Sequence, residues 1–265
     1  MDQRDFASIS PSARAILLVR SQTDLPFARR AAELLLGREA VEKARDEMAS
    51  NADARARRTH FERRSRSIDE ALARMGARRV LEIASGFSFR GLAMASSAPD
   101  AFYLDTDLPD VIEQKKALVE QLHPGPPAGR LELRALDVFD AAAFRAAVDA
   151  LPPGPVAIVQ EGLFMYLDDA EKRTLARTVL DALRARGGAW ITADVYVRTG
   201  RTIFRDGASR AFVEKHGIDA KKFATYDDAL AFFTAAGFRV DARLACADAA
   251  WQARETWVLV PDAEA

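Results

Sequence analysis

The sequence predicts an α/β protein in which a doubly wound, mostly parallel sheet follows a helical segment and ends in an antiparallel strand pair. Three observations predict this class. Short β-rich runs alternate with helical segments between Arg78 and Tyr196, which is typical of a parallel sheet with helices on both faces. Residues 1–76 show no strand pattern. After residue 225, one helix precedes two strands whose connecting loop is too short for a parallel crossover.

Helix signals account for the first part of the chain. Asp24 and Pro26 predict the start of one helix, which Gly37 ends. A later helix carries four apolar residues at helical spacing, namely Phe61, Ile68, Leu72 and Met75. We therefore expect an N-terminal helical cap over residues 1–76 and a sheet domain over residues 77–265.

Five βα units and a closing strand pair follow, which makes seven strands. The predicted strands cover residues 78–85, 101–107, 130–137, 156–164 and 188–196, and then 238–244 and 255–262. Asp168 and Glu171 predict a capping box at the start of the helix before the fifth strand. This order describes a class I methyltransferase sheet, and it describes a dinucleotide-binding domain equally well. The loops must discriminate between them.

Composition excludes several classes of protein. Of the 265 residues, 49% are apolar and 29% are charged, which indicates a folded core and not a disordered chain. The net charge of −1 provides no basic surface for nucleic acid. The single cysteine, Cys246, cannot form an internal disulfide. No apolar run approaches the ~20 residues of a membrane span. We expect a cytoplasmic protein without a nucleic-acid or membrane partner.

The loop after the first strand is built from small residues. Ala84, Gly86 and Ser88 occupy the three glycine positions of a G-x-G-x-G loop, and only the middle glycine is kept. Small residues allow a ligand to approach the backbone closely, although a plain tight turn has the same composition. A pyrophosphate-binding G-x-G-x-x-G is absent, which disfavours NAD.

Acids follow the second and third strands, at the sheet edge where ligands bind in open α/β folds. Asp105 and Asp107 share one side of the second strand, and Asp107 lies nearer its end. A carboxylate at this point commonly binds the hydroxyls of a ribose; alternatively, it caps the helix at Pro109. Asp137 and Val138 end the third strand, and an acceptor beside an apolar side chain suits an adenine.

Two further charges lie in apolar surroundings. Glu161 ends the apolar fourth strand, so we expect it to face a ligand or a cation. Arg64 comes three residues after Phe61 and four before Ile68, on the apolar stripe of its helix. An arginine turned inward requires an anion. Either a ligand carboxylate or an internal acid would supply it.

The three histidines provide no metal or catalytic signature. His60, His123 and His216 fall in unrelated segments, without metal-ligand spacing to cysteine, aspartate or glutamate. We predict no metal site, and the catalytic residues stay unassigned.

Three motifs follow one another along the chain: Leu-Glu-Ile-Ala-Ser-Gly at 81–86 with Arg-Gly-Leu at 90–92, Asp-Thr-Asp-Leu-Pro at 105–109 with Lys115, and Glu-Gly-Leu-Phe-Met-Tyr-Leu at 161–167. Together they resemble the leucine carboxyl methyltransferase family, in particular its bacterial branch that includes polyketide O-methyltransferases. The resemblance implies a class I fold and the use of S-adenosylmethionine to methylate an oxygen, often that of a carboxylate.

The resemblance also implies roles for six residues in binding S-adenosylmethionine. They are Arg64 at the methionine carboxylate, Gly86 under the methionine chain, Asp107 at the ribose, Asp137 and Val138 at the adenine, and Glu161 near the methionine end. The sequence departs from the family's fuller glycine loop at Ala84 and Ser88.

We therefore expect an O-methyltransferase that acts on a small-molecule carboxylate or phenol, in secondary metabolism. A carboxylate is ionised at neutral pH and needs no base, whereas a phenol would benefit from one. The scarcity of histidine favours the carboxylate. The alternatives are a protein carboxyl methyltransferase, a non-methylating S-adenosylmethionine-binding protein and a nucleotide-dependent oxidoreductase. The oligomeric state stays open.

The connection over residues 195–223 is longer than is usual in a compact domain, and such connections are often functional. We expect a lid on which Arg198, with Arg201, attracts an anionic acceptor. Tyr196 and Tyr166 would line the acceptor site. The alternative is a solvated basic segment.

Overall fold

The computed structural model describes residues 10–198, 214–245 and 254–263. Its centre is a seven-stranded sheet in the order β3-β2-β1-β4-β5-β7-β6. The strands are β1 (Arg79–Ile83), β2 (Phe102–Asp107), β3 (Arg130–Ala135), β4 (Val156–Gln160), β5 (Gly188–Tyr196), β6 (Phe238–Ala245) and β7 (Arg254–Pro261). Strands β1 to β5 are parallel, and β7 pairs antiparallel with both β5 and β6. The predicted fold class is confirmed.

Helices precede and connect these strands. They are α1 (Ser10–Arg20), α2 (Ala28–Leu36), α3 (Arg38–Ser50), α4 (Ala52–Arg74), α5 (Arg90–Ser97), α6 (Pro109–Leu122), α7 (Ala141–Asp149), α8 (Asp169–Arg186) and α9 (Tyr226–Ala235), with a short 3₁₀ helix at Phe164–Tyr166. The capping box of Asp168 and Glu171 is present at the start of α8.

Two details of the predicted helices are wrong. Helix α2 begins at Ala28 and not at Pro26, because Phe27 adopts a left-handed conformation with φ 64° and interrupts the turn before it. Met75 lies just beyond α4 and is 38% exposed, so it does not continue the buried stripe of that helix.

The sheet is covered on both faces. Helices α7, α8 and α9 pack on one face through side chains such as Phe144, Leu175 and Phe233. Helix α4 packs Ile68 and Leu72 on the other face. Apolar side chains of α1, α2 and α3 join those of α5 and α6 in a third cluster. The division of the chain at residue 76 stays a prediction.

The topology places four loops at one edge of the sheet. Strand β1 pairs with β2 on one side and with β4 on the other, so the sheet changes direction there. In open α/β sheets, ligands bind at the carboxyl ends of the strands beside such a switch point. The loops after β1, β2, β3 and β4 meet at this edge. Among the helices within the described ranges, none has the length and apolar character of a membrane span.

Candidate functional site

A cavity of about 590 Å³ lies at this edge, under α1. That volume lies within the usual range for sites that bind small molecules and cofactors. The structure brings seven of the predicted residues to its wall, namely Arg64, Gly86, Asp107, Asp137, Val138, Glu161 and Tyr166. Tyr196 and Arg198 are not on the wall of this cavity.

The loop after β1 forms one side of the cavity in a left-handed conformation. Ala84 has φ 50° and Gly86 has φ 53°. Glycine adopts this region without strain, whereas alanine pays a steric penalty there. The Gly86 N–H donates a 2.6 Å hydrogen bond to Asp107 Oδ2, which ties the β1 loop to the end of β2.

Asp107 is held by backbone N–H groups and does not cap α6. Its Oδ1 accepts a 2.7 Å hydrogen bond from the Leu108 N–H, and the N-cap of α6 is Leu108 itself. Burial raises the pKa of the Asp107 carboxyl, and the N–H groups of Gly86 and Leu108 oppose that rise. A carboxylate offers about four acceptor positions, so positions remain for the hydroxyls of a ligand.

Asp105 has a different role from Asp107. It is buried, and its carboxylate lies 2.6 Å from Lys115 Nζ of α6. Burial raises the pKa of Asp105 to about 6, against the opposing charge of Lys115. Lys115 also donates to Ser85 Oγ at 3.0 Å. This ion pair fixes α6 and the β1 loop and lies outside the cavity wall.

The loop after β3 brings Asp137 and Val138 to the cavity. Asp137 is exposed, and its Oδ1 accepts a 2.9 Å hydrogen bond from the Phe139 N–H. Val138 is buried. The wall therefore carries an accessible acceptor next to an apolar side chain, as the sequence predicts for an adenine site.

Glu161 lies at the centre of a buried group of arginines. Its Oε1 accepts hydrogen bonds from Arg20 and from Arg64 Nε, the latter at 2.7 Å, and its Oε2 accepts one from Arg90 at 2.8 Å. Burial by itself raises the pKa of Glu161, but Arg20, Arg64 and Arg90 outweigh it and hold the pKa well below its usual value. The sequence predicts that Glu161 faces a ligand or a cation, and in the structure this acid forms ion pairs with three arginines.

Arg90 extends this group under the β1 loop. It pairs with Glu82 of β1 and, at 2.6 Å, with Asp69 of α4. Glu82 in turn accepts a 2.5 Å hydrogen bond from the Tyr103 hydroxyl. The sequence predicts no role for Arg20 or Arg90. For Arg90 a signal existed, because Glu82 is an acid inside an apolar strand, and such an acid needs a partner.

Arg64 is paired with an internal acid, which is one of the two alternatives that the sequence leaves open. Its Nε donates to the internal acid Glu161. Within the described ranges, no residue accepts a hydrogen bond from its two terminal nitrogens, Nη1 and Nη2, although the side chain is only 2% exposed. Burial lowers the pKa of Arg64, but the charges of Glu161, Tyr196 and Asp194 and the hydrogen bond to Glu161 together outweigh burial, so the net shift of the pKa is upward. A buried guanidinium with free donors on a cavity wall can bind an anion.

Asp194, near the end of β5, is a further buried acid that the sequence analysis misses. Its carboxylate accepts hydrogen bonds from the backbone of the loop after β4 and from Arg254 Nη2, the last at 3.2 Å. Arg254 also approaches His60 Nε2 at 3.2 Å. Burial and then the charges of Arg254 and Arg64 lower the pKa of His60 well below its usual value.

Tyr196 belongs to this inner group and does not line the cavity. Its hydroxyl lies 3.2 Å from His60 Nε2, and the Arg254 guanidinium stacks 3.3 Å above its ring. Tyr196 and Asp194 both contact Arg254, and neither lines the cavity.

Arg198 is also displaced from its predicted place. It is exposed, and its Nη2 donates to the Ala220 carbonyl at 3.1 Å. This bond holds the guanidinium on residues 214–223, which end the predicted lid. Most of that lid, with Arg201, lies in 199–213, outside the described residues. Cys246 also lies outside the described residues.

Lys221, in the described end of the predicted lid, lies on the cavity wall. Its Nζ donates to the Tyr166 carbonyl at 2.9 Å. The Tyr166 hydroxyl is 3.0 Å from Ser12 Oγ of α1, and burial raises the pKa of this tyrosine. Tyr166 thus joins α1 to the loop after β4, as part of the cavity wall.

Known structures share the fold at low sequence identity. A DUF574 family protein from Streptomyces avermitilis aligns with TM-score 0.58 and 17% identity over 94% of this chain and 97% of its own. Magnesium protoporphyrin IX methyltransferase (ChlM) from Synechocystis, solved with bound SAM, aligns with TM-score 0.54 and 10% identity over 83% and 96%. The chain spans only 43% of LepI C52A, solved with SAH and a substrate analogue, at TM-score 0.48 and 13% identity over 70% of this chain.

Sequence comparison gives the family. A search of curated proteins finds no significant match. A model of the family described as leucine carboxyl methyltransferase matches residues 7–180, which is more than half of the chain. The matched region contains the whole of the predicted cofactor-binding set. This protein belongs to the leucine carboxyl methyltransferase family, which depends on S-adenosylmethionine.

Proposed function

We propose that this protein uses S-adenosylmethionine to methylate an oxygen of a small-molecule carboxylate or phenol. One observation carries the proposal: the six residues predicted to bind the cofactor come from α4 and from the carboxyl ends of four strands, and all six lie on the wall of a single cavity. Ligands bind at this edge in open α/β sheets, and the donors and acceptors on this wall match the groups of S-adenosylmethionine, which supports the proposal.

The residues present fit each part of S-adenosylmethionine. Nη1 and Nη2 of Arg64 would bind the methionine carboxylate. The open acceptor positions of Asp107 would bind the ribose hydroxyls. Asp137 would accept from the adenine amine, with Val138 against the ring. Gly86 would leave room for the methionine chain, because its backbone carries no side chain on the wall.

Methyl transfer does not require the protein to activate the methyl group. The bound cofactor supplies a methyl group on a sulfonium, which is already activated for transfer. The side chains have to bind, orient the acceptor and exclude water. Helix α1 contributes to the last task, because Ser12 and Ile16 line the cavity above Tyr166.

The acceptor we favour is a carboxylate. None of His60, His123 and His216 lines the cavity in the described part of the chain, and His60 Nε2 is engaged with Tyr196 and Arg254. A phenol needs a base near neutral pH, whereas a carboxylate does not. Lys221 provides a positive charge on the wall for an anionic acceptor.

The test is methyl transfer from labelled S-adenosylmethionine to a panel of small carboxylic acids, phenols and peptides with a free C-terminal carboxylate. We expect label in a small acid, released by mild base because methyl esters hydrolyse and aryl methyl ethers do not. Label in the peptides alone would make the protein a protein carboxyl methyltransferase. Tight cofactor binding without transfer to any acceptor would make it a binding protein, and failure to bind the cofactor would overturn the proposal.

A further inference from the structure

The Asp194 carboxylate holds the loop after β4 by its backbone. It is 3% exposed and accepts hydrogen bonds from three successive N–H groups, those of Gly162 at 2.8 Å, Leu163 at 2.7 Å and Phe164 at 3.0 Å. Three N–H groups that converge on one point would suit an external anion. Here a side chain of the neighbouring strand occupies that point.

Two side chains complete the environment of this carboxylate. Gln160 Nε2 donates to Oδ2 at 3.0 Å, and Arg254 Nη2 donates to Oδ1 at 3.2 Å. Arg254 is buried and provides the compensating charge. Five donors around one buried carboxylate leave the loop little freedom, because any displacement would break charge-assisted hydrogen bonds.

The loop that Asp194 holds lies directly against Arg64. Gly162 has φ 88°, and a Cβ at this position would lie 3.7 Å from both Nη1 and Nη2 of Arg64. Gly162 and Leu163 line the cavity, whereas Asp194 does not. The space in front of the free donors of Arg64 therefore depends on where the Gly162 backbone lies, and Asp194 determines that.

We propose that Asp194 is a positioning residue, which holds the Gly162–Phe164 backbone so that the terminal nitrogens of Arg64 stay open to the carboxylate of the ligand. This rests on the proposed function, in which that ligand is S-adenosylmethionine. Asp194 acts through the loop and touches neither cofactor nor acceptor.

Asp194→Asn tests the carboxylate with almost no change of shape. The side-chain amide of this variant has only one oxygen. In either orientation its NH₂ group therefore points at N–H donors that bind a carboxylate oxygen in the wild type. Gly162→Ala leaves Asp194 in place and disturbs the loop directly, because it adds a methyl group 3.7 Å from the terminal nitrogens of Arg64 and strains the backbone at φ 88°. Asp149→Asn, at an exposed position of α7, is the matched control.

Each variant is titrated calorimetrically with S-adenosylmethionine and with methylthioadenosine, which lacks the carboxylate. We expect Asp194→Asn to weaken S-adenosylmethionine binding at least about tenfold and methylthioadenosine binding by less than about threefold, as loss of a charge-assisted contact predicts. Amide exchange at residues 162–164 should accelerate at least about tenfold, with β4 unchanged. Gly162→Ala should give the same split in binding, because it disturbs the same backbone beside Arg64.

Three results would overturn the proposal: equal losses for both ligands in Asp194→Asn, unchanged exchange at residues 162–164, or full S-adenosylmethionine affinity in Gly162→Ala. The last applies even if Asp194→Asn does not fold. A wild-type protein that binds neither ligand would reject the proposed function instead, and the exchange comparison would still show whether Asp194 holds the loop.

Discussion

Arg64 donates its Nε hydrogen to Glu161 at 2.7 Å and keeps both terminal nitrogens free of any acceptor among the described residues. The internal acid thus orients the guanidinium and balances its charge without using its bidentate end. That end is the geometry with which arginine binds carboxylates. This geometry supports the proposed role of Arg64 in binding the ligand carboxylate.

Replacing Arg64 should separate two related ligands. Arg64→Ala should weaken S-adenosylmethionine binding at least about tenfold, because each charge-assisted hydrogen bond contributes roughly 1.5–3 kcal/mol. Methylthioadenosine has no carboxylate and should lose little affinity. Calorimetric titration measures both. The control is Arg63→Ala, which removes an exposed arginine one position away; equal losses for both ligands would reduce Arg64 to a structural partner of Glu161.

Replacing Asp107 should affect both ligands alike, because both contain the ribose. Asp107→Ala removes a carboxylate that would accept from the ribose hydroxyls, so we expect at least a tenfold loss of affinity, about 1.4 kcal/mol or more, for each. The fold should survive, as circular dichroism would show. Unchanged calorimetric affinity in a folded variant would refute the ribose assignment.

Glu161 should make stability depend on pH in acid. Its pKa is lower in the folded protein than its usual 4.5, so its ionisation favours the folded state. That contribution is complete above pH 4.5 and is lost as the pH falls through the folded pKa. At pH 7, Glu161→Gln should destabilise by about 3–5 kcal/mol, because it leaves buried arginines without their anion.

The difference in unfolding free energy between wild type and Glu161→Gln should shrink below pH 4.5, as the wild-type carboxyl becomes neutral too. Urea denaturation at successive pH values measures it. Glu113→Gln, at an exposed position of α6, should show no comparable effect. A difference that stays constant down to the acid unfolding of the wild type would contradict the lowered pKa.

Ala84 should be a site at which glycine stabilises. At φ 50° an alanine loses about 1–2 kcal/mol to steric strain, and glycine loses about 0.5–1 kcal/mol more conformational entropy on folding. Ala84→Gly should therefore raise the free energy of unfolding, by up to about 1 kcal/mol. Ala146→Gly, on the exposed side of α7, should lower it by about 0.5–1 kcal/mol. Urea denaturation that gives both changes the same sign would argue against the strain at Ala84.

The architecture and most of the cavity wall could be predicted from the amino-acid sequence. Alternation of β-rich and helical runs predicts the parallel sheet, and the polar residues at the strand ends predict the wall. Asp107, Asp137 and Glu161 could be found in this way because a parallel sheet gathers the carboxyl ends of its strands at one edge. Arg64 could be found because helical periodicity turned it inward.

The partner that each of these groups contacts could not be predicted, because it depends on how distant elements pack together. Periodicity gives the side of an element on which a residue lies, but not what packs there. The meeting of Arg20 and Arg90 with Glu161 depends on how α1 and α5 pack at the sheet edge. Asp194 and Tyr196 lie two residues apart near the end of β5, yet Asp194 binds the loop after β4 while Tyr196 contacts His60. Long-range packing sets these contacts, and no local spacing encodes them.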